Sequence, residues 1–351
     1  MDAFLLDSVH DSLASNSGPL LVAIRVMKRC TVRCQMCDFW KTSDDGYSWL
    51  QMKNILEQCA MLGVQHICLT GGEPTLYRHF FATVQYIMEL GMSYSFITNG
   101  SLLTKGVISR IMDCPPSRVH VSIDSSVPEK HDEARGHVGL WEQALKGIVG
   151  FNEYSPRPLI VVNYVVSNRN FWEIPEIVKL YGGLIDEVNL LTIKGMPSWQ
   201  LSVEQIMEYN SRVVPALLSA LMECGIRLRG GSPYIFGRSI EEVENSSKAE
   251  YAKTFYKKFG CSVSHSMLFI DELGNVFPCN NTQYNPSIFN CGNILEDSLK
   301  VIWHSEKIKA VQRMVANSAI CAGCDPVNQF INQKVAEINT VAWRKVYEVS
   351  H

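Results

Sequence analysis

Six apolar segments of strand length, each followed by a segment with helical periodicity, occupy the first 224 residues of this 351-residue chain. Strands are predicted over residues 20–27, 65–70, 93–98, 118–124, 159–167 and 187–193. Helices are predicted over residues 49–62, 81–90, 105–112, 140–153, 172–181 and 203–224. Such alternation predicts an α/β fold with a parallel sheet, because each helical crossover returns the chain to the same strand direction. In a barrel or a doubly wound sheet alike, ligands gather at the carboxyl ends of the strands.

Composition limits the class of protein. A hydrophobic content of 46% is enough to fill a sizeable core, and a formal net charge of -3 offers no basic surface for nucleic acid or anionic lipid. No segment approaches the roughly 18 apolar residues of a membrane span, and the first residues lack the basic start of a signal peptide. We therefore expect a cytoplasmic protein with neither nucleic-acid nor membrane partners.

Three of the twelve cysteines, Cys30, Cys34 and Cys37, lie within eight residues directly after the first predicted strand. This ligand-like spacing, in a chain without an export signal, favours metal thiolates over a disulfide framework. A closed structural zinc site needs four ligands, usually as two close pairs, and this loop offers three. Three thiolates on a 4Fe–4S cluster would leave one iron open to another ligand.

Other unusual residues follow the next predicted strands. Gly71, Gly72, Glu73 and Pro74 come after the second strand, Asn99 after the third and Asp124 at the end of the fourth. An isolated glycine pair is typical of an ordinary tight turn, but at this strand end, after such a cysteine loop, it favours a ligand site. Glycines let the backbone approach a ligand closely, and a glutamate carboxylate can stabilise an ammonium group.

The pattern Cys30-x3-Cys34-x2-Cys37 after a first strand resembles the signature of the radical S-adenosylmethionine (SAM) superfamily. The resemblance implies a partial (β/α)6 barrel of the TIM type over residues 20–230, after a lead-in over residues 1–19. It also implies that the three cysteines hold a 4Fe–4S cluster whose open iron is chelated by SAM. The loop Gly71-Gly72-Glu73-Pro74 would then bind the amino group of SAM.

The same resemblance implies further contacts with SAM. Asn99 would lie near the cofactor, and Ser122 and Asp124 would lie beside it. Arg135 would pair with the SAM carboxylate, with a solvated surface arginine as the alternative. Many family members have an aromatic residue directly before the third cysteine, where this chain has Met36, and this difference leaves the packing of the adenine open.

A second set of cysteines, in residues 261–324, surrounds a hairpin predicted over residues 267–278. It resembles the SPASM/twitch extension of radical SAM enzymes, which we assign to residues 231–328 and which a helical segment over residues 329–351 follows. No cysteine comes after residue 324, so the resemblance implies the shortened form with one auxiliary 4Fe–4S cluster, and structural zinc is the alternative. Cys291 is either a substitute ligand or a buried core residue. The four expected ligands are Cys261, Cys279, Cys321 and Cys324.

The resemblance implies a radical SAM oxidoreductase in which a 5'-deoxyadenosyl radical abstracts hydrogen from the substrate, with an electron donor such as flavodoxin or ferredoxin. The favoured substrate is a small polar metabolite of natural-product biosynthesis, such as a sugar, an aminocyclitol or a nucleoside. Modification of a ribosomally made peptide, by thioether formation, crosslinking or epimerisation, is the alternative. A non-catalytic iron–sulfur or zinc protein would not need the motifs at the strand ends. No catalytic acid or base is assigned.

Overall fold

The computed structural model describes residues 18–193, 196–239, 261–317, 324 and 326–338. The strands are β1 (Leu21–Arg25), β2 (His66–Thr70), β3 (Ser93–Thr98), β4 (Arg118–Ser122), β5 (Leu159–Val166), β6 (Glu187–Thr192), β7 (Arg227–Arg229), β8 (Met267–Ile270), β9 (Asn275–Phe277) and β10 (Gly292–Asn293). They form one sheet in the order β10-β9-β8-β1-β2-β3-β4-β5-β6-β7. Neighbours from β8 through β1 to β7 are parallel, whereas β9 and β10 are antiparallel.

Helices follow the strands as the alternating pattern requires. They are α1 (Trp49–Met61), α2 (Phe80–Glu89), α3 (Lys105–Met112), α4 (Pro128–Arg135), α5 (Leu140–Asn152), α6 (Ile174–Leu180), α7 (Val203–Glu208), α8 (Val214–Cys224), α9 (Pro286–Phe289), α10 (Leu299–His304), α11 (Glu306–Asn317) and α12 (Pro326–Ile338). A π-helical turn, Tyr209–Val213, joins α7 to α8. Side-chain caps begin several of them, as where Ser48 accepts a hydrogen bond from Gln51 N at the start of α1. No helix in these ranges combines the length and hydrophobicity that crossing a bilayer would need.

The predicted α/β fold with a partial barrel is confirmed. Strands β1 to β6 lie where the hydrophobic pattern places them, and residues such as Ile24, Phe96 and Val162 are wholly buried, as expected for strands covered on both faces. The sequence pattern missed β7, which has only three residues, two of them arginine, and α4, which is mostly charged. The described sheet remains open, with β7 and β10 at its edges.

The C-terminal cysteine region shares the sheet of the barrel. Strand β8 pairs with β1 in parallel, from Leu21 opposite Met267 to Ile24 opposite Ile270, and β9 turns back along β8 as the predicted hairpin. Beyond β8, the buried carboxylate of Glu272 pairs with the guanidinium of Arg25 at 2.9 Å and with the ammonium of Lys28 at 2.5 Å. The strand that leads into the first cysteine loop is thus joined to the β8–β9 hairpin of the C-terminal cysteine region.

Candidate functional site

The first cysteine loop lies at the carboxyl end of β1 and brings three thiols close together. Cys34 is buried in a small apolar cluster, whereas Cys30 and Cys37 are partly exposed. Burial is the main reason why the pKa of the Cys34 thiol is raised to about 11, and repulsion from the Cys30 and Cys37 thiolates adds to it. Thiols in such surroundings ionise readily only when a metal replaces the proton.

Helix α4 clamps this loop from one side. The backbone N–H of Arg33 donates to the carbonyl of Arg135 at 3.1 Å, and that of Gln35 donates to the carbonyl of Ala134 at 2.9 Å. Gly136 ends the helix in the left-handed region, with φ of 61°, and a Cβ there would lie 2.5 Å from the carbonyl oxygen of Arg33. The close approach of helix and loop therefore requires glycine at this position.

The glycine pair after β2 packs against the chain that leads into the cysteine loop. The Gly72 N–H donates to the Met27 carbonyl at 2.9 Å. A Cβ on Gly72 would lie 2.1 Å from the carbonyl oxygen of Lys28 and 2.2 Å from that of Arg29, and one on Gly71 would lie 2.4 Å from the Met27 oxygen. The sequence indicated that these glycines allow a ligand to approach closely. The structure shows that they also allow the protein's own backbone to approach closely.

Glu73 links the ends of β2 and β3 and is completely buried. Its Oε1 accepts hydrogen bonds from the Thr75 hydroxyl at 2.6 Å, the Thr75 N–H at 3.2 Å and the Thr98 hydroxyl at 2.8 Å, and its Oε2 accepts one from the Asn99 N–H at 2.8 Å. Burial raises the pKa of the carboxyl although these bonds oppose the shift. Oε2 keeps room for a second donor. Pro74 follows, buried, at the start of a 3₁₀ turn.

The Asn99 side chain points at the cysteine loop. Its Nδ2 lies 3.5 Å from the Cys30 sulfur and donates to the Thr31 hydroxyl at 3.1 Å, while its Oδ1 accepts from the Ser101 N–H at 2.8 Å. These contacts fix the orientation of the amide, because Oδ1 already faces a donor. The end of β3 therefore supplies an N–H group to a thiol of the loop.

Asp124 and Arg135 form a buried ion pair at 2.7 Å. Asp124 Oδ1 also accepts from the Val165 N–H at 3.0 Å, which ties the end of β4 to β5. Arg135 is 7% exposed, so the surface alternative for this side chain is wrong, and its buried Nε has no hydrogen-bond partner among the residues that the structure describes. Ser122 is the last residue of β4, two residues before Asp124.

A cavity of about 160 Å³ opens between the cysteine loop and the ends of β4 and β5. Glu173, buried in its wall, accepts from the Lys130 ammonium at 2.8 Å and from the Ser126 N–H at 3.1 Å. The sequence reasoning missed this wall, although polar residues 167–170 follow the fifth predicted strand just as Asp124 ends the fourth. The lining includes Gln35, Met36, Asp124, Ser167, Asn170 and Trp199.

Two cysteines of the second set, Cys261 and Cys279, are buried, whereas Cys324 is partly exposed. Cys261 precedes a 3₁₀ turn and is 5% exposed, and Cys279 follows β9 and is 8% exposed. Burial is the main cause that raises the pKa of the Cys279 thiol to about 11, and the nearby Cys261 adds to it. Cys324 lies two residues before α12, and Cys321 falls outside the described residues. Of the four expected ligands, the structure thus places Cys261 and Cys279 together.

Helix α12 covers these two cysteines. Asn332 Nδ2 lies 3.6 Å from the Cys261 sulfur, and Asn332 Oδ1 accepts from the Ser262 hydroxyl at 2.6 Å. One turn earlier, Asn328 Nδ2 donates to Asn280 Oδ1 at 3.1 Å, beside Cys279. The helix after Cys324 is therefore packed against the chain segments of the two other cysteines.

Cys291 has different surroundings. Its thiol donates to the Phe289 carbonyl at 3.4 Å, and burial raises its pKa to about 12, with the charge of Lys307 acting in the opposite direction. Neither Cys261 nor Cys279 contributes to that shift. The position of Cys291 thus favours the interpretation as a core residue.

The first donor set fits an iron–sulfur cluster better than a single metal ion. Within the described ranges, no three histidine, cysteine, aspartate or glutamate side chains converge on one ion position. The thiolates of a 4Fe–4S cube bind different irons and need not converge on one point. Beside the first set, the buried and unsatisfied Nε of Arg135 can pair with an anionic ligand. The residues present thus suit a cluster with an anionic chelator nearby.

Comparisons with known proteins agree with this geometry. The model of the radical SAM superfamily matches residues 24–181, and that of SPASM, an iron–sulfur cluster-binding domain, matches residues 261–325. An AdoMet-dependent heme synthase of Methanosarcina barkeri is 27% identical over 334 residues, covering 89% of this chain and 93% of the relative. A PqqA peptide cyclase of Rhizobium meliloti is 24% identical over 315 residues, covering 88% and 80%.

A solved structure supports the fold. SuiB of Streptococcus suis, bound to its precursor peptide SuiA, superposes with a TM-score of 0.66 at 17% identity, covering 92% of this chain and 74% of SuiB. At that identity the likeness concerns the architecture alone.

Proposed function

We propose that this enzyme, which belongs to the radical SAM superfamily and carries a C-terminal SPASM domain, binds its SAM-cleaving cluster at Cys30, Cys34 and Cys37. The two domains imply a 4Fe–4S cluster, SAM and auxiliary iron–sulfur chemistry as cofactors. When bound, the cluster and SAM supply the one-electron cleavage that yields methionine and a 5'-deoxyadenosyl radical. The protein's own residues hold, orient and shield these groups.

One observation carries the proposal: three neighbouring thiols and a buried carboxylate–guanidinium pair lie near a cavity, which Gln35 and Met36 of the cysteine loop line together with Asp124 of the pair. We assign the Nε of Arg135 to the carboxylate of SAM, because this buried donor has no described partner. We assign Glu73 Oε2 and the backbone of Gly71 and Gly72 to the SAM ammonium. Glu73 would thus bind the SAM ammonium in addition to linking the ends of β2 and β3.

The remaining assignments follow the walls of the site. Ser122 and Asp124 lie on the side that faces SAM, and Asn99 orients Cys30 through its N–H group. Met36 lines the cavity where many relatives have an aromatic ring, and its flexible thioether can pack against adenine.

The C-terminal set is proposed to hold one auxiliary 4Fe–4S cluster at Cys261, Cys279, Cys321 and Cys324. The burial of Cys261 and Cys279 supports a role in electron transfer, because a cluster held away from solvent needs little reorganisation when its charge changes. It would accept an electron from the substrate radical or help to orient the substrate.

Iron and sulfide content after anaerobic reconstitution tests these assignments. We expect about eight irons in the wild type, two clusters of four, and about four in a variant with Cys30, Cys34 and Cys37 all replaced by alanine. That variant should also lose formation of 5'-deoxyadenosine from SAM under dithionite. Cys59→Ala, at a buried cysteine of α1, is the matched control and should keep both. A wild type with about four irons that fall to none would overturn the auxiliary cluster.

A small polar metabolite is the first candidate substrate. Most of the residues that line the cavity carry hydrogen-bonding side chains, among them Ser125, Ser167 and Asn170. A relative that covers almost the same length is named as a heme synthase, so a related chain serves a substrate that is not a peptide. The chemistry of such walls suits hydroxyl and amine groups.

A ribosomally made peptide is the second candidate. A PqqA peptide cyclase and SuiB with its precursor peptide both resemble the chain along most of its length. One assay distinguishes the two candidates. The enzyme, SAM and dithionite are incubated with an extract of deuterium-grown cells, and the formation of deuterated 5'-deoxyadenosine is measured. A signal that survives exhaustive proteolysis of the extract indicates a metabolite, and a signal that proteolysis removes indicates a peptide.

A reducing compartment and a low-potential donor complete the proposal. Cys30, Cys34, Cys37, Cys261 and Cys279 all carry free thiols, as metal ligands require. We place the enzyme in the cytoplasm, with flavodoxin or ferredoxin as the electron donor. Formation of 5'-deoxyadenosine with reduced flavodoxin in place of dithionite would support this donor, and failure of both carriers would exclude it.

A further inference from the structure

Two asparagines on one face of α12 lie buried at the C-terminal cysteine site. Asn328 is 6% exposed and Asn332, four residues later, is 1% exposed. Asparagine is a poor helix former, and a buried amide is costly unless its groups are hydrogen-bonded. Their burial on this helix therefore needs an explanation from their contacts.

The contacts of Asn332 fix the direction of its amide. Its Oδ1 accepts from the Ser262 hydroxyl at 2.6 Å and from the Val263 N–H at 3.2 Å, so two donors identify the oxygen. The Nδ2 group must then face the other way, where the Cys261 sulfur lies 3.6 Å away. Among the residues that the structure describes, Asn328 contacts no sulfur, and its Nδ2 donates to Asn280 Oδ1 instead.

We propose that Asn332 is a positioning residue that holds Cys261 by an N–H···S hydrogen bond and thereby raises the reduction potential of the auxiliary cluster. The inference rests on the proposed function, in which Cys261 is a ligand of that cluster. A hydrogen bond to a thiolate ligand withdraws electron density from the sulfur, which favours the more negatively charged, reduced cluster. Helix α12 would thus make the cluster a better electron acceptor.

The test is a redox titration of the full-length protein, reconstituted in a background with Cys30, Cys34 and Cys37 replaced by alanine, so that only the auxiliary cluster contributes. Asn332→Leu keeps the approximate volume and removes the donor. We expect its cluster to be harder to reduce by about tenfold in the equilibrium ratio, equivalent to about 59 mV for one electron. Asn328→Leu, one turn away on the same buried face, is the matched control and should leave the potential near that of the parent.

A second variant gives a reading if Asn332→Leu does not fold. Asn332→Asp keeps the shape and the acceptor for Ser262 and places a negative charge near the sulfur, so its potential should fall below that of Asn332→Leu. An unchanged potential in either variant, or equal shifts in Asn332→Leu and Asn328→Leu, would overturn the inference. The proposed function fails separately, through Cys261→Ala: full iron content in that variant would show that Cys261 is not a ligand.

Discussion

The two cysteine sites of this molecule are built in opposite ways. The first takes three cysteines from eight consecutive residues and leaves Cys30 and Cys37 partly exposed, in a loop whose Gln35 and Met36 line a cavity. The second draws on segments some 60 residues apart in the chain and buries Cys261 and Cys279 beneath a helix. An accessible, locally built site suits a cluster that must admit a second ligand. A covered site assembled by tertiary structure suits a cluster that exchanges only electrons.

One feature is common to both sites. An asparagine amide faces one sulfur in each, with Nδ2 of Asn99 at 3.5 Å from Cys30 and Nδ2 of Asn332 at 3.6 Å from Cys261. Asn99 comes from a strand end that belongs to the barrel itself, whereas Asn332 comes from a helix that follows the last cysteine. The N–H···S contact thus comes from a strand end of the barrel in the first site and from helix α12 in the second.

Replacing Gly72 by alanine should give the largest difference in iron content between the two cysteine sites. The new Cβ would lie within about 2.2 Å of the carbonyl oxygens of Lys28 and Arg29, so the chain entering the first cysteine loop must move. We expect iron content to fall from about eight to about four and 5'-deoxyadenosine formation to disappear, while the C-terminal site stays loaded. Iron and sulfide analysis with a product assay measures both.

Gly106→Ala is the control for that change. A Cβ at Gly106, in helix α3, meets no atom within 4 Å, and alanine favours a helix by about 1 kcal/mol over glycine. This variant should keep all its iron and its activity. If Gly72→Ala also kept them, the packing of the glycine pair against the cysteine loop would not matter to cluster binding.

Replacing Glu272 by glutamine tests whether the two sites are joined mechanically. The change leaves the buried Arg25 guanidinium without its counter-charge, which should lower the free energy of unfolding by about 3–5 kcal/mol. The control, Asp45→Asn, removes an exposed partner of Arg29 at a similar distance and should cost less than about 1 kcal/mol. Urea unfolding of the two apoproteins, followed by tryptophan fluorescence, compares them. Equal losses would mean that the buried pair adds no specific link.

Replacing Cys291 by alanine should have the smallest effect. Its thiol contacts the Phe289 carbonyl, and neither Cys261 nor Cys279 affects its pKa, so we expect the iron content to stay at about eight. The small cavity should reduce stability by about 1 kcal/mol. Cys279→Ala, measured in parallel, should lose about four irons. A similar loss in Cys291→Ala would add Cys291 to the ligand set.

Local signals explain what could be predicted from the sequence. Strands β1 to β6 show as apolar runs, and Cys30, Cys34 and Cys37 as a spacing that neighbouring residues alone determine. Helix α4 lacks an apolar stripe, because most of its residues are charged. The sequence pattern therefore did not predict it, although it hydrogen-bonds to the cysteine loop. Its position depends on contacts between distant segments, which periodicity does not encode.

The C-terminal site shows the same limit more strongly. The cysteines and the hairpin are visible in the sequence, but the pairing of β8 with β1 and the burial of Glu272 arise only in the folded chain. Asn328 and Asn332 left a faint signal, two asparagines four residues apart in a helical segment. The close packing of Gly71 and Gly72 against the protein's own backbone could not be predicted without coordinates.

The pairing of β8 with β1 limits how this protein can be engineered. Replacing the C-terminal region by that of a relative would remove β8, the strand that pairs with β1. A row of backbone amides and carbonyls on β1, shortly before Cys30, would then lose its hydrogen-bond partners. Uncovered strand edges recruit other chains and promote aggregation. A successful chimera must therefore bring its own counterpart of β8, including an acidic residue for Arg25, or be cut after the hairpin.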